Sequence, residues 1–401
     1  MLKGKRIVLG VTGGIAAYKA AEFVRLLVKG EAEVHVVMTQ NAQEFITPLT
    51  FQTLSGNPVT TDPYALQEEM KIGHIALADL AELILILPAT ANIIGKIANG
   101  IADDFLSTTV MASKAPVLLV PSMNVNMWEN QAVQKNIQTL IERGYHFVEP
   151  GTGELACHWY GKGRLADLEE VMEKIEDLFS PKDLKGERIL VTAGPTQEPI
   201  DPVRFITNRS SGKMGYALAG MARRRGAEVI LISGPTSLPL PRREMEVVWV
   251  QTAEEMREAV LRHLERCSVV IKVAAVGDFR PREVSQAKIK KGESSLSLEL
   301  ERTGDILEEI GKRKGDRILI GFAAETENLV NNAHKKLLAK NLDLIVANEV
   351  QASFGHDANK VKILYPNGEI KDVPLMAKGD VANVVLDQVV RLRKEKALQR
   401  R

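Results

Sequence analysis

Continuous apolar runs alternate with amphipathic stretches along the first half of the chain. The clearest runs are RIVLGV (6–11), VHVVMT (34–39), LILILPA (83–89) and VLLVPS (117–122). The stretch 15–30 between the first two has apolar residues at helical spacing and ends at Gly30. Strands that are apolar on both faces and separated by helices are typical of a parallel sheet covered on both sides. We therefore predict a doubly wound α/β domain.

The same pattern restarts after the polar, proline-marked segment 180–187. The stretch 184–195 follows it, and further apolar runs lie at 229–235, 247–252, 269–276, 318–325 and 342–348. The beginning of the second half, LKGERILVTAGP, resembles that of the first, LKGKRIVLGVTGG. The similarity fits either an ancient duplication or the independent use of the same strand–turn–helix pattern. The prediction is two Rossmann-like, doubly wound α/β domains in tandem, each with a mostly parallel sheet, over residues 1–182 and 183–401.

Composition narrows the class of protein. A chain of 401 residues is long enough for two cores, and its 45% hydrophobic and 26% charged residues are ordinary for a soluble protein. A net charge of +1 gives no general attraction to nucleic acid or to a membrane surface. Two cysteines cannot form a disulfide framework and fit a reducing cytoplasm. The apolar part of the N-terminal stretch is too short for a signal peptide and predicts a buried first strand.

The turn TGGIAAYK (12–19) joins the first strand to the first helix. Such a turn directs backbone amides at a ligand and suits a phosphate group. It lacks the full G-x-G-x-x-G pattern, so a mononucleotide is favoured over NAD. A turn with a purely structural role would have a similar sequence. PATANIIGK (88–96) and DDFLSTT (103–109) place polar side chains after a strand, where they either bind a ligand or cap helices.

Three further first-half features carry candidate chemistry. His74 precedes a helical stretch, and Asn124 follows a strand, where its amide can hold a carboxylate. Cys157 lies in GELACHWYGKGR (153–164), which is predicted to be a flexible, glycine-rich loop. The sequence contains neither C-x-x-C nor H-E-x-x-H, so a catalytic metal held by these residues is not supported. Cys267, the other cysteine, is predicted to lie in the core.

The second half has its own polar motifs after strands. SSGK (210–213) fits an anion-binding turn or a capped helix start, but the full phosphate-loop pattern is missing. Asp278 and Lys288 lie between two strands, in a polar segment where a phosphate-binding role is plausible. Lys336 and Lys340 are four residues apart, on one helix face, where they can hold a triphosphate.

Taken together, these motifs resemble a bifunctional family of coenzyme A biosynthesis. The first half, through GGIAAYK, GHIxL, PATAN, PxMNxxMW and GxLACxxxGxGR, is similar to the flavin-dependent phosphopantothenoylcysteine decarboxylases. The second half resembles the phosphopantothenate–cysteine ligases. For the first half the resemblance implies FMN as cofactor and His74, Asn124 and Cys157 as catalytic residues. The FMN contacts it implies are Gly13, Gly14, Ile15, Thr39, Pro88, Ala89, Thr90, Asn92, Ser107 and Met123.

The chemistry of the implied decarboxylation explains these residue types. Loss of CO₂ from a cysteine carboxylate needs an electron sink. Oxidation of the thiol-bearing carbon creates this sink, and a flavin can carry out the oxidation by accepting a hydride. By resemblance, Asn124 holds the carboxylate, His74 is the acid–base group and Cys157 protonates the enethiolate left after CO₂ departs. This sequence has His158 after Cys157, where the family usually has glycine.

For the second half, the resemblance implies a CTP-dependent ligation. The carboxylate of 4′-phosphopantothenate is activated as an acyl-cytidylate with release of pyrophosphate, and cysteine then displaces CMP. Asn208 is implied to engage the acyl-cytidylate and Lys288 the transferring phosphate, while Mg²⁺ is expected mainly through the CTP phosphates. Thr303-Gly304-Asp305 replaces the family's usual N-P-D. The implied CTP contacts are Lys272, Val273, Ala274, Asp278, Lys288, Gly304, Asp305, Ile306, Leu307, Phe322, Lys336 and Lys340.

The expected partners are therefore small molecules: 4′-phosphopantothenate, cysteine and CTP. The resemblance also implies a homo-oligomer of trimeric flavin domains and dimeric ligase domains, which together make a dodecamer. Two alternatives come from other classes of protein. They are a tandem NAD(P)-dependent reductase, disfavoured by the missing G-x-G-x-x-G, and a non-catalytic flavin-binding regulatory protein, disfavoured by the joint presence of His74, Asn124 and Cys157.

Overall fold

The chain folds into two compact units, Met1–Ser180 and Pro181–Arg401. The structure is a computed structural model, and it describes residues 2–61, 73–154, 159–240, 245–290, 296–325, 327–349 and 357–399. Cys157 and His158 lie outside these described residues. No helix within the described ranges is long and apolar enough to span a bilayer.

The first unit is built on a six-stranded sheet with the order β3-β2-β1-β4-β5-β6, in which every pair is parallel. Its strands are β1 (Arg6–Val11), β2 (Glu33–Met38), β3 (Val59–Thr60), β4 (Leu83–Ala89), β5 (Val117–Pro121) and β6 (His146–Phe147). All seven residues of β4 are buried, as expected for a strand covered on both faces. A short antiparallel hairpin, β7 (Gly151–Glu154) and β8 (Tyr160–Arg164), follows the sheet.

Helices cover both faces of this sheet. They are α1 (Ala17–Lys29), α2 (Pro48–Ser55), α3 (His74–Leu80), α4 (Ala91–Ala98), α5 (Phe105–Ala112), α6 (Val125–Glu129), α7 (Gln131–Glu142) and α8 (Leu168–Phe179), with a 3₁₀ turn at Gln40–Glu44. Phe23 of α1 and Val171 of α8 pack on one face of the sheet, and Ile93 of α4 and Leu140 of α7 pack on the other. Alternate residues of β1 divide between these two cores, as the twofold period of a strand requires.

The second unit has an eight-stranded sheet with the order β13-β12-β9-β14-β17-β18-β19-β20. The strands are β9 (Arg188–Ala193), β12 (Glu228–Ser233), β13 (Glu246–Trp249), β14 (Val269–Lys272), β17 (Ile318–Glu325), β18 (Leu344–Glu349), β19 (Ala358–Leu364) and β20 (Ile370–Ala377). The first six are parallel, whereas β19 and β20 are antiparallel. Two further hairpins pair β10 (Gln197–Pro199) with β11 (Phe205–Thr207) and β15 (Phe279–Pro281) with β16 (Leu300–Arg302).

Helices again lie on both faces of the second sheet. They are α9 (Lys213–Arg224), α10 (Ala253–Leu264), α11 (Ile306–Lys312), α12 (Leu329–Ala339) and α13 (Lys378–Gln399). Leu218 of α9 and Val385 of α13 belong to one core, and Val260 of α10 and Leu337 of α12 belong to the other. The predicted tandem of doubly wound α/β folds is confirmed, and so is the burial of Cys267, which is 5% exposed. The antiparallel edge formed by β19 and β20 was not predicted.

Candidate active sites

The carboxyl ends of β1 and β4 are joined by a hydrogen-bonded threonine pair in the first unit. The Thr12 hydroxyl donates to the Pro88 carbonyl over 2.7 Å, and the Thr90 amide donates to the Thr12 hydroxyl over 3.2 Å. Thr39, at the end of β2, donates its amide to the Val11 carbonyl over 3.1 Å. The predicted residues around Gly13, Thr39 and Thr90 are thus brought together at one edge of the sheet.

The first turn of α1 lies at this edge and is open to a ligand. Within the described residues no side chain caps the helix, and its first turn contains no acidic residue. The Ala17 and Lys19 amides donate to the Gly14 and Ala16 carbonyls over 2.9 and 3.0 Å, and the helix amino end keeps its partial positive charge. Ile15 beside it is 59% exposed, so an apolar surface adjoins the amides. A Cβ on Gly13 would lie 2.4 Å from the Asn41 Cβ, which explains the glycine.

Thr90 and Ser107 also take part in helix capping. The Thr90 hydroxyl accepts from the Ile93 amide at the start of α4. Ser107 and Asp104 form a reciprocal capping box at the start of α5, and Ser107 is 2% exposed. The capping alternative raised from sequence is therefore realised at both positions. Lys96 pairs with Asp103 over 2.7 Å and with Asp104 over 2.9 Å, which fixes the loop between α4 and α5.

His74 is the first residue of α3, and its ring lies edge-on to that of Phe105 in α5. The centroids are 6.1 Å apart and the planes are 82° to each other. Gly73 occupies the N-cap position without a side-chain cap. The aromatic contact orients the imidazole by packing.

On either side of residues 155–158, which the structure does not describe, the glycine-rich segment forms the paired strands β7 and β8 of a hairpin stem. The prediction of a loop was therefore wrong over these strands. The stem is held against the segment that carries Asn124, because the Met123 amide donates to the Gly163 carbonyl over 3.0 Å. Gly163 has a φ of +147°, and a Cβ there would lie 2.3 Å from the Met123 carbonyl oxygen. A Cβ on Gly161 would lie 2.6 Å from Val125. The two glycines therefore allow β8 to pack closely on the Met123 carbonyl and on the Val125 side chain.

Asn124 is the N-cap residue of α6, and its side-chain oxygen accepts from the Asn126 amide over 2.8 Å. Lys162, on β8, forms an ion pair with Glu149 over 2.7 Å and lies 5.5 Å from the centre of the Trp128 ring. These contacts connect α6 to the hairpin stem. The stem strands lead directly into residues 155–158, which include Cys157 and lie outside the described residues.

In the second unit, threonines hold the loops at the carboxyl ends of β9 and β14. The Thr192 hydroxyl accepts from the amides of Val273 and Ala274 at 3.1 Å each, and Thr196 accepts from Gly277 at 2.9 Å. Asn208 lies alongside, because its amide nitrogen donates to the carbonyls of Ala275 and Val276 at 3.1 Å each. The predicted residues Val273, Ala274 and Asn208 are thus neighbours.

A lysine cluster lies next to these loops and includes Lys272, Lys336 and Lys340. Lys340 pairs with Asp305 over 2.7 Å, and Lys336 pairs with Glu325 over 2.6 Å. Burial lowers the pKa of Lys272 to about 8, and the nearby charge of Lys340 acts in the same direction. Asp305 and Asp278 oppose this shift but do not cancel it. A half-buried lysine with two further lysines beside it makes this site suited to a polyanion.

Lys288 belongs to a segment that is tied to the buried carboxylate of Asp201. The Asp201 carboxylate accepts from the Ile289 amide over 3.2 Å and from the Val203 and Arg204 amides over 2.8 Å each. Burial alone would raise the pKa of Asp201, but these three hydrogen bonds outweigh it and the pKa is lowered. The backbone beside Lys288 is therefore fixed.

A cleft of about 160 Å³ opens at the start of α9, at the carboxyl edge of the second sheet. It contains the predicted Val273, Ala274 and Phe322. It also contains residues that the sequence did not single out, namely Gly194, Asn348, Asn359 and Lys378. The predicted SSGK turn forms one wall of the cleft. In the described part of the chain, no group of three or more His, Cys, Asp or Glu side chains could hold a metal ion.

Comparison with known families assigns each unit. Residues 1–180 match the family model described as flavoprotein, and residues 184–392 match the one described as DNA/pantothenate metabolism flavoprotein C-terminal domain. The chain is 50% identical over 401 residues to the coenzyme A biosynthesis bifunctional protein CoaBC of Bacillus subtilis, covering 98% of this chain and 99% of the relative. The chain belongs to the family of bifunctional coenzyme A biosynthesis proteins.

Other members of the bifunctional coenzyme A biosynthesis family match over a similar length. The Escherichia coli K12 protein is 43% identical over 397 residues, which is 97% of each chain. A crystal structure of the C-terminal domain of a CoaBC protein is 47% identical to this chain, covers 53% of it and 99% of the domain, and has a TM-score of 0.47. The resemblance deduced from the motifs is confirmed, as is the assignment of the chain as a bifunctional enzyme with a decarboxylase half and a ligase half.

Proposed function

We propose that the second unit ligates 4′-phosphopantothenate to cysteine with CTP, and that the first unit decarboxylates the product to 4′-phosphopantetheine with FMN. The domains assigned to these reactions are residues 183–401 and 1–182. The observation that carries the proposal is full-length similarity to bifunctional coenzyme A biosynthesis proteins, at 50% identity to the Bacillus subtilis protein. The product of the second unit is then the substrate of the first.

The residues at the carboxyl edge of the first sheet fit FMN. The uncapped start of α1 offers amides for the phosphate, and the exposed Ile15 offers an apolar surface for the ring system. The further contacts we propose are Gly13, Gly14, Thr39, Pro88, Ala89, Thr90, Asn92, Ser107 and Met123. When bound, FMN supplies reversible hydride acceptance, which makes the oxidised carbon an electron sink for CO₂ loss.

The protein residues position the substrate and move protons. Asn124 is assigned to the substrate carboxylate, and the hydrogen bond from the Asn126 amide to its side-chain oxygen helps to fix the orientation of the side chain. His74 is assigned to proton exchange at the thiol end, with its ring oriented by Phe105. Cys157 is assigned to protonation of the enethiolate, an assignment that rests on the family resemblance because Cys157 lies outside the described residues.

The loops of the second unit support acyl-cytidylate formation. Asn208 is assigned to the activated acyl group and Lys288 to the phosphate undergoing transfer. Cations and donors fixed before reaction stabilise the developing charge without having to reorganise. The Asn208 bonds to Ala275 and Val276 and the Asp201 bond to Ile289 provide that fixation.

The lysine cluster is assigned to the CTP phosphates, together with Asp278, Phe322 and the helix start at Gly304, Asp305, Ile306 and Leu307. Mg²⁺ is proposed to bind mainly through those phosphates. From the family resemblance we also propose trimeric flavin units and dimeric ligase units, and a cytoplasmic location in keeping with the cysteine content.

CTP affinity should fall as the pH rises above about 8. Lys272, with a pKa lowered to about 8, loses its charge in the free protein through this range, and a bound triphosphate favours the charged form. We expect the dissociation constant to rise towards tenfold between pH 8 and 9.5. The measurement is direct CTP titration of the full chain without cysteine, whose own groups titrate there.

Lys272→Arg keeps the positive charge at every pH in this window. It should therefore give a dissociation constant that does not change between pH 7 and 9.5. An unchanged upward inflection in Lys272→Arg would show that another group titrates, and the assignment of Lys272 to the phosphates would be withdrawn.

The proposed function is tested with the purified full chain. A flavin absorbance spectrum, together with pyrophosphate release that requires CTP, 4′-phosphopantothenate and cysteine at once, is expected. A reductase would instead consume NAD(P)H, and a regulatory protein would bind flavin without turnover. Absence of pyrophosphate release with either CTP or ATP would overturn the ligase assignment, and absence of CO₂ release from supplied phosphopantothenoylcysteine would overturn the decarboxylase assignment.

A further inference from the structure

Thr303 joins two loops that the proposed function assigns to CTP. Its side-chain hydroxyl donates to the Gly277 carbonyl over 2.6 Å, and its backbone amide donates to the Asp278 carbonyl over 3.0 Å. Gly277 and Asp278 end the loop after β14, and Thr303 lies shortly before the start of α11. One residue therefore holds the segment that carries Asp278 against the segment that carries Asp305.

The hydroxyl bond is additional to the bonds of the neighbouring hairpin. In that hairpin, Phe279 of β15 is paired with Arg302 of β16, and the amide bond from Thr303 to Asp278 continues the ladder by one pair. The hydroxyl reaches one residue further, to the Gly277 carbonyl. Any residue except proline can make the amide bond, whereas the bond to Gly277 requires a side-chain donor.

Both polar groups of the Gly277 backbone are held by threonine hydroxyls. The Gly277 amide donates to the hydroxyl of the buried Thr196 over 2.9 Å, and its carbonyl accepts from the Thr303 hydroxyl. A glycine held at both groups loses the conformational freedom that would let the following residue, Asp278, change direction. The backbone of Asp278 is thus fixed before CTP binds.

The second loop is fixed where α11 begins. Asp305 is the N-cap residue of this helix, and its carboxylate accepts from the Glu308 amide over 3.0 Å and pairs with Lys340 over 2.7 Å. Gly304, between Thr303 and Asp305, has no side chain to add a contact. Thr303 therefore connects the fixed helix start to the loop after β14.

This connection also determines where two carboxylates lie around Lys272. The charges of Asp278 and Asp305 both favour the charged form of Lys272 and oppose the lowering of its pKa by burial. Thr303 is hydrogen-bonded to the backbone of Asp278 and lies two residues before Asp305. Displacement of either loop would change the charges around Lys272, which the proposed function assigns to the CTP phosphates.

We propose that Thr303 is a positioning residue for CTP, whose hydroxyl group holds the loop of Asp278 at the start of α11. The inference rests on the proposed function, in which Asp278 and residues 304–307 bind the nucleotide. Thr303 acts through the backbone of Gly277 rather than through contact with the substrate. The expected consequence is an effect on CTP that does not extend to 4′-phosphopantothenate.

Thr303→Val and Thr303→Ser are compared by pyrophosphate release with the full chain. Valine has nearly the shape of threonine but lacks the hydroxyl, so Thr303→Val should raise the KM for CTP by about 3- to 10-fold, the range that one neutral hydrogen bond provides. Thr303→Ser keeps the donor and should keep the wild-type KM. The KM for 4′-phosphopantothenate should be unchanged in both variants.

Three outcomes of this comparison overturn the proposal. The first is a wild-type KM for CTP in Thr303→Val. The second is an equal rise in Thr303→Ser, which would assign the effect to packing of the lost methyl group. The third is an equal rise in the KM of both substrates, which would indicate a general distortion of the unit.

Ser268→Ala is the matched control. Ser268 directly precedes β14, at the opposite end of the strand from the Asp278 loop, and its hydroxyl donates to the Glu187 carboxylate over 2.6 Å. The change therefore removes a hydroxyl bond of the same length beside the same strand and should leave the KM for CTP at the wild-type value. A rise as large as that in Thr303→Val would show that any weakening around β14 has this effect.

Amide hydrogen exchange separates failure of this inference from failure of the proposed function. Proteolytic peptides that cover Gly277 and residue 303 should exchange faster in Thr303→Val than in the wild type, whether or not the chain turns over CTP. Thr303→Ser should exchange at the wild-type rate. Unchanged exchange in Thr303→Val counts against the role of Thr303. Faster exchange in this variant, with a wild type that neither binds CTP nor releases pyrophosphate, counts against the proposed function alone.

Discussion

Cys157→Ser should release CO₂ from phosphopantothenoylcysteine but fail to complete the conversion to phosphopantetheine. A serine hydroxyl is a far weaker acid than a thiol, so protonation of the enethiolate should slow by about 10²- to 10⁴-fold, the usual contribution of a general acid. The decarboxylated species with two hydrogens fewer than phosphopantetheine should accumulate, and mass analysis of a single turnover detects it. Pyrophosphate release by the ligase unit should be unchanged.

Cys267→Ser is the matched control, because Cys267 is buried and burial raises its pKa to about 11. Its thiol donates to the His263 carbonyl over 3.3 Å, a bond that serine can retain. This variant should decarboxylate at the wild-type rate. Wild-type formation of phosphopantetheine by Cys157→Ser would remove the proton-donor role from Cys157.

Gly163→Ala should reduce decarboxylation by about a hundredfold while leaving ligation intact. At a φ of +147°, an added Cβ would lie 2.3 Å from the Met123 carbonyl oxygen, so the hairpin stem must move away from Met123 and Asn124. A displacement of about 1 Å in a catalytic group can cost about a hundredfold in rate. The measurement is the rate of CO₂ release from supplied phosphopantothenoylcysteine, beside pyrophosphate release from the same preparation.

Gly153→Ala tests whether any added methyl group in the hairpin has this effect. Gly153 lies on the partner strand β7, and its added Cβ would meet Arg164 at 3.6 Å, an ordinary contact distance. Its decarboxylation rate should stay within a few-fold of the wild type. Equal losses in both glycine variants would indicate general weakening of the hairpin, and the specific anchoring of Gly163 on Met123 would then be wrong.

The parallel cores could be predicted from sequence because their strands are continuous apolar runs. Leu83–Ala89 and Val269–Lys272 lie inside their sheets, so every position favours an apolar residue. The edge strand Ile370–Ala377 has a single buried position, Val373, and contains a proline. Most of its other positions are exposed, so its sequence contains no continuous apolar run. The antiparallel pair β19 and β20 was therefore not predicted.

The site residues also differ in how far they could be predicted from the sequence. Gly13, Thr39 and Thr90 follow strands of one parallel sheet, and their meeting at its carboxyl edge follows from that topology. Asn359 and Lys378 reach the cleft from a hairpin and a helix start far along the chain, and neither lies in a recognisable motif. The glycines at 161 and 163 misled the prediction, because close packing of the chain on the Val125 side chain and on the Met123 carbonyl requires the same residue as a mobile loop.

The antiparallel edge of the second sheet contributes cleft residues that can be substituted separately from the parallel core. Asn359 is carried by β19, and Lys378 directly follows β20. The other cleft residues lie on the parallel strands of the core, on the loops that follow them or in the first turn of α9. A library confined to positions 359 and 378 would therefore vary one wall of the cleft, while the parallel strands, the lysine cluster and the buried core residues of β19 and β20 keep their sequence. Substrate preference and the stability of the core could in this way be selected as two nearly independent traits.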